Sequence, residues 1–279
     1  MTTPREGATI ALFGAGGKMG LRLAKNLQGS RHTVRHVEPS PAGQQRLLAE
    51  LGVACLPTEA ALDGADVVIL AVPDTLIGRV SAQIAPQLAP GTMLITLDAA
   101  APFAGHLPAR PDLVYFVTHP CHPVIFDAAV HTQGDYFGGV SAPQSIVSAL
   151  MQGPDEAYAL GEDIARLIYA PIKQAYRVTV EQMALLEPGL SETVCATLLD
   201  TMREAMDEVV ARGVPREAAR DFLLGHMTIL SAVIFQQIPG QFSDACNKAI
   251  TFGKPRLLRD DWKQVFDRDE IADSIRRIT

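Results

Sequence analysis

The chain has 279 residues, 48% of them hydrophobic and 6% aromatic, with a net charge of −7. That length holds one large domain or two ordinary ones around a well-buried core. The acidic balance comes without any basic run or stripe, which excludes the electrostatic footprint of a nucleic-acid partner. No apolar stretch reaches the roughly twenty residues that span a bilayer. The opening segment Met1–Gly7 also lacks an apolar signal core, so a cytoplasmic protein without a membrane partner is expected. Cys55, Cys121, Cys195 and Cys246 form no C-x-x-C pair, which argues against a disulfide framework or a thiolate zinc knuckle. Small buried side chains are expected at these positions.

The first element is a buried strand, Ala8–Phe13, which stops at Gly14-Ala15-Gly16-Gly17-Lys18-Met19-Gly20 and leads into a helical pattern from Leu21. A strand, a tight turn and a helix aim unpaired backbone N–H groups and the positive end of the helix dipole at one spot, which favours a pyrophosphate. The glycines read as Gly14-x-x-Gly17-x-x-Gly20 with Gly16 extra, because Met19 stands where the last glycine of the usual fingerprint belongs. The turn resembles the G-A-x-G-[RK]-M-G turn of dihydrodipicolinate reductases and related nicotinamide enzymes. The next strand, His32–Val37, ends at Glu38, about twenty residues past the turn, where a carboxylate accepts both ribose hydroxyls of an adenosine. This predicts NAD. A 2′-phosphate is repelled by Glu38, although Arg35 and Arg46 lie close in sequence.

Ser40 as cap and Pro41 at the first position start a helix that runs to Leu51 and stops at Gly52. A short strand at 53–55 and a small helix capped by Thr58 follow. Ala65–Pro73 is the most apolar strand signal and so must be central. Its carboxyl end, Ala71, Val72, Pro73 and Asp74, is expected along the cofactor's path, with Asp74 as a helix cap. A helix at 76–88, a strand at 93–98 and a strand at 113–118 continue the alternation. β-like runs at 138–142 and 145–151, a helix at 154–168 and a run at 172–178 complete a doubly wound Rossmann-type α/β domain, residues 1–177. Long helical patterns then fill 178–279. In the helix 215–237, Met227, Leu230, Val233 and Ile234 recur within a nearly all-apolar sequence, which predicts a homodimer through the helical domain.

Chemistry is expected in His119-Pro120-Cys121-His122-Pro123, just past the strand ending at Thr118, where two histidines held by prolines face the nicotinamide. Histidine serves there as a base toward a hydroxyl or as a neutral metal ligand, or else packs on the sheet. In the second domain, Pro188 and Gly189 break a helical pattern between Glu187 and Glu192. A carboxylate with one or two histidines makes an N/O site suited to zinc or another divalent ion. The alternative for Glu192 is a cap formed with Ser191.

The glycine turn, Thr-His-Pro-Cys-His-Pro-x-x-Phe at 118–126 and Glu-Pro-Gly-Leu-Ser-Glu-Thr at 187–193 together resemble the D-apionate oxidoisomerase family, whose C-terminal domain belongs to the phosphogluconate dehydrogenase-like group. The resemblance covers nearly the whole chain. It implies NAD-dependent oxidation of a branched hydroxy acid coupled to an acyloin-type rearrangement, with one divalent metal. On this resemblance His119 and Glu192 are the metal ligands, with His122 and Glu187 as second choices. A plain β-hydroxy-acid dehydrogenase, decarboxylating or not, and a catalytically silent NAD-binding sensor are the competing expectations.

Overall fold

The computed structural model describes residues 7–279; apart from Gly7, the stretch read for a signal segment lies outside them. In chain order the elements are β1 Thr9–Phe13, α1 Lys18–Leu27, β2 Thr33–Val37, α2 Pro41–Leu51, α3 Thr58–Leu62, β3 Val67–Leu70, α4 Asp74–Ile84, β4 Met93–Thr96, α5 Ala100–Phe103, β5 Val114–Pro120, α6 Ala128–Gln133, β6 Gln144–Gln152, α7 Tyr158–Ile168, β7 Ile172–Arg177 and α8 Val180–Ala184. A π-helical stretch, Leu185–Ala196, precedes α9 Thr197–Ala211, α10 Arg216–Ile234, α11 Asp244–Leu257 and α12 Arg268–Ile278. The chain folds as two compact units, one running to Glu187 and taking in Ala272–Thr279, the other Pro188–Ile271.

In the first unit the strands form one seven-stranded sheet in the order β2-β1-β3-β4-β5-β6-β7. The β2-to-β5 part is parallel, β5 and β6 pair antiparallel, and β7 lies parallel to β6. Alternation decides which core each side chain enters. Ile10, Leu12, Val67, Ile69, Met93, Ile95 and Phe116 pack on one face with α1 and α7, while Ala11, Phe13, Val68, Leu70, Leu94 and Tyr115 pack on the other with α4. Both faces are covered, which is why β3 reads as a continuous apolar run. Helix α7 approaches so closely that a Cβ on Gly161 would sit 2.4 Å from the Phe116 ring. The short helix α8 stays with the sheet, because Val180 and Met183 are buried among Ala99, Val117, Val147 and Ala149.

Helix α2 forms as its sequence dictates, with Ser40 accepting from the Gly43 N–H, Pro41 at the first position and Gly52 closing it in the left-handed conformation. Several expectations need correction. No strand forms at 53–55, where Leu56 donates a single hydrogen bond to the His36 carbonyl at 2.8 Å. The run 138–142 is a turn: the Asp135 carboxylate takes the N–H groups of Val140, Ser141 and Ala142 at 3.2, 2.9 and 3.0 Å, which removes them from any ladder. Strand β5 runs on through His119 and Pro120, paired with Val147 and Ile146 of β6, so His119 belongs to the strand and not to the loop after it. The cysteines are free and none is fully buried; Cys121 and Cys195 are exposed, the latter on the π-helical stretch.

The second unit is helical. A Cβ on Gly189 would lie 2.9 Å from the Ile271 side chain and 3.3 Å from the Phe266 ring, so the Pro188–Gly189 step lets the stretch pack against the end of its own unit. Thr193 donates its hydroxyl proton to the Pro188 carbonyl at 2.7 Å, a side-chain-to-backbone bond within the π-helical stretch. No residue of α9 or α11 is buried, and only Ala219 and Ala232 are buried in α10. Among the described residues no helix is long and apolar enough to cross a membrane.

Candidate active site

The sheet order reverses direction between β1 and β3, and ligands of open α/β sheets lie in the crevice at such a switch point. Three glycines make the turn there. Gly14 has φ +71°, and a Cβ on it would fall 2.3 Å from the Ala71 carbonyl; one on Gly20 would fall 2.0 Å from the Gly14 carbonyl; one on Gly16 would fall 2.5 Å from the backbone of Gly43. The spacing that sterics enforce is therefore Gly14-x-Gly16-x-x-x-Gly20, a correction to the register read through Gly17. Gly17 is the N-cap of α1 and brings no side-chain cap, so the first N–H groups of the helix are not taken up by it. Ala15 is fully buried, Met19 packs partly buried on the core, and Lys18 extends over the Phe137 ring at 4.2 Å. Val72 packs on the opposite core, and Pro73 is the N-cap of α4.

Glu38 is buried, and its two oxygens accept the Gly16 N–H and the Ser40 N–H, each at 2.9 Å. The carboxylate is thus fixed between the glycine turn and the start of α2. Beside it opens a cavity of ≈ 660 Å³, lined by Val37, Glu38, Gln44, Cys55 and Thr58 among others. No Lys or Arg is among the described residues lining it. Arg35 instead caps α3, donating to the carbonyls of Ala60, Ala61 and Asp63. An anchored carboxylate with no cation in its cavity fits a ribose bearing free hydroxyls and disfavours a 2′-phosphate.

At the carboxyl end of β5 the His119 ring is held at both nitrogens. Nδ1–H donates to the Leu97 carbonyl at 2.8 Å, and Nε2 lies 3.2 Å from Oε2 of Glu187. Asp98 Oδ2 stands 3.8 Å from Nδ1. Burial works to lower the His119 pKa, but the hydrogen bond and charge of Glu187 outweigh it and raise the value to about 8. For Glu187 burial works upward, and the His119 hydrogen bond with the His119 and His122 charges brings the net value below the ordinary carboxylate range. Burial raises Asp98, opposed by its bond from the Ala100 N–H. Asp74, the first residue of α4, is pushed up to about 6, by burial first and then by the negative charge of Asp98.

Of the residues singled out in the sequence, the structure brings His119, His122 and Glu187 together. The two imidazoles meet edge to face with centroids 6.0 Å apart. Glu192 lies on the π-helical stretch in the second unit and is exposed there. Among the described residues no group of three or more His, Cys, Asp or Glu is arranged to hold a metal ion. The donors in contact within the first unit are one imidazole nitrogen and one carboxylate, a chemically suitable pair that leaves further positions to other oxygens. Sequence reasoning missed Asp98 and placed Asp74 on the cofactor's path chiefly as a helix cap, whereas Pro73 is the N-cap and Asp74 the first helical residue. The signal was present, since each is an acidic residue placed just after an apolar strand, β4 and β3 respectively.

Residues 127–279 match the model of the phosphogluconate dehydrogenase (decarboxylating) C-terminal family, and residues 9–100 match that of the coenzyme F420-dependent NADP oxidoreductases. Over 272 residues the chain is 73% identical to a D-apionate oxidoisomerase of Cupriavidus necator, covering 97% of this chain and 99% of that one. The chain belongs to the D-apionate oxidoisomerase family. It is an enzyme, an oxidoreductase built on a nicotinamide dinucleotide-binding fold. The D-apionate oxidoisomerase of Rhizobium rhizogenes is 68% identical over 97% of this chain and 99% of its own length. A Cupriavidus necator protein described as a semialdehyde dehydrogenase NAD-binding protein, crystallised with calcium and NAD, has a TM-score of 0.95 at 72% identity, covering 98% of this chain and 99% of that one.

Proposed function

We propose that this member of the D-apionate oxidoisomerase family oxidises a branched sugar acid of the D-apionate type with NAD and rearranges the product to a 3-oxo acid. The observation that carries the reading is the His119–Glu187 pair at the carboxyl edge of the sheet, with one imidazole nitrogen fixed to a carbonyl and the other set against a carboxylate. NAD is supported by the anchored Glu38 carboxylate and by the relative crystallised with that cofactor. The cofactor-binding set is Gly14, Ala15, Gly16, Gly17, Lys18, Met19, Glu38, Val72 and Pro73.

In the first stage the hydroxyl beside the carboxylate loses its proton, and the hydride on the same carbon leaves for the nicotinamide, giving a ketone. Because Nδ1–H of His119 is committed to Leu97, Nε2 is the atom that takes a proton, which it does from the neutral form that grows as pH rises through about 8, and Glu187 stabilises the imidazolium that results. In the second stage the neighbouring tertiary hydroxyl is deprotonated, and a carbon substituent migrates with its bonding pair to the ketone carbon. A new ketone forms at the former tertiary carbon, and the new alkoxide takes back the proton, so no atom is gained or lost. His122 donates Nδ1–H to the Phe137 carbonyl at 2.9 Å and so presents Nε2 as an acceptor for this second proton transfer.

A divalent ion, zinc in the first instance, is part of the proposal. His119 with Glu192 is the ligand pair implied by the resemblance, and His119 with Glu187 is the pair in contact; an ion on His119 would take Nε2, and the first-stage proton would then pass to Nε2 of His122. When bound, the ion supplies a positive centre for the oxygens of the hydroxy and keto acids. The same reading takes the enzyme to be a cytoplasmic homodimer joined by its helical unit, since α10 and its C-cap leave Phe222, Ile234 and Phe235 exposed at 69%, 59% and 68%.

The test is product analysis with D-apionate and NAD. A keto acid retaining every substrate carbon, with one NADH per turnover, is expected; release of CO2 would favour the decarboxylating dehydrogenase suggested by the match over 127–279. Loss of activity on thorough chelation, restored by zinc or another divalent ion, is expected if the metal belongs.

A further inference from the structure

The loop between α6 and β6 is built like a rigid strap. Asp135 gathers three consecutive N–H groups, and Gly138 and Gly139 turn the chain at φ +73° and +86°. Between them Phe137 offers its ring to two cations of α1, with Lys18 Nζ 4.2 Å and the Arg22 guanidinium 4.5 Å from the centroid. The same residue reaches His122 twice. Its carbonyl accepts Nδ1–H at 2.9 Å, and its ring meets the imidazole edge to face at 6.0 Å. His122 holds a left-handed backbone, φ +58°, which a non-glycine residue keeps only where its surroundings demand it.

We propose that Phe137 is a positioning residue for the reaction, acting through His122: gripped by Lys18 and Arg22 of the phosphate-binding helix, it fixes the histidine's tautomer and aim. A carbonyl can only accept, so Nδ1 must carry the hydrogen and Nε2 the lone pair. The two cations sit on the first turns of the helix that starts at the glycine turn, so the dinucleotide cradle and the second histidine share one mechanical connection. This rests on the reading that His122 serves the reaction.

The test compares Phe137→Leu, Phe137→Tyr, Arg22→Met and the Phe137→Leu/Arg22→Met pair in the full-length enzyme with NAD and D-apionate. Phe137→Leu keeps apolar bulk and the backbone carbonyl but loses the π face. It is expected to lower kcat by about tenfold or more with KM for the sugar acid changed less than about twofold. Tyrosine keeps the face and is expected to restore kcat to within about threefold. The Leu and Met changes are expected to be non-additive, since each breaks the same grip. Unchanged kcat in Phe137→Leu, equal losses in Leu and Tyr, or strictly additive losses would overturn the proposal. His122→Ala separates the layers: if it turns over normally, the reading of His122 falls and this proposal with it. If it is impaired while Phe137→Leu is not, this proposal alone falls.

Discussion

The sheet unit and the helical unit bury their apolar residues in opposite ways. In the sheet, Ile10, Leu12, Ile69, Ile95 and Phe116 are at 0% exposure, and the central strands divide their side chains between two covered faces. In the helical unit, Phe252 and Leu257 stand 62% and 76% exposed, and α9 and α10 line an apolar groove of ≈ 640 Å³. One unit closes its own core; the other leaves many large apolar side chains uncovered.

The largest expected effect breaks or confirms that contrast directly. Phe116→Ala empties a fully buried site pressed against Gly161 and is expected to cost about 3–5 kcal/mol in unfolding free energy. Phe222→Ala, at a residue 69% exposed, is expected to leave chemical unfolding at high dilution within about 1 kcal/mol of the parent. The same change is expected to weaken self-association in sedimentation velocity; a dimer of unaltered affinity would point to another face.

Next comes the chemistry carried by the sheet unit. His119→Ala is expected to lower kcat about 10²–10⁴-fold while NAD still binds, as followed by fluorescence quenching. A variant that turns over normally would leave the histidine a packing role only.

The pH dependence of stability sharpens the picture of the ionised pair. His119 in the folded protein titrates at about 8 against an ordinary value of 6.5, so the pair's contribution is fully present below pH 6.5 and is lost as pH rises through about 8. In metal-free protein this amounts to about 1–2 kcal/mol. Glu187→Gln is expected to flatten that portion of the stability profile, and an unaltered profile would assign the shift to another group. The smallest effect concerns the cofactor. A Cβ on Gly43 would lie 2.7 Å from the Glu38 carboxyl carbon, so Gly43→Ala is expected to raise KM for NAD about tenfold with kcat little changed.

Much of the sheet unit was legible because its signals are local. The Ser40, Pro41 and Gly52 boundaries of α2, the apolar run of β3 and the position of Glu38 after β2 each follow from a few adjacent residues. What escaped depends on distant partners. β5 reaches Pro120 because β6 returns antiparallel beside it, and 138–142 fails as a strand because Asp135 captures its donors. The break at Pro188–Gly189 was readable, but its resolution as twelve residues of π winding was not, since neither residue alone selects between a kink and a wider helix. Of the residues singled out in the sequence, the structure sets His119 beside His122 and Glu187, the carboxylate ranked second to Glu192. Asp74 and Asp98 each follow an apolar strand in the sequence, but that they share one neighbourhood emerges only when β3 and β4 lie side by side.

The bonding of Glu38 bears on attempts to redesign cofactor choice. The side chain that would discriminate against the phosphorylated nucleotide also ties two main-chain donors on separate elements, so exchanging it for a basic residue removes a structural clasp along with the repulsion. A successful NADP-using variant should therefore need a compensating acceptor near Gly16 and Ser40, and single substitutions at this position are expected to lose the old nucleotide without gaining the new one.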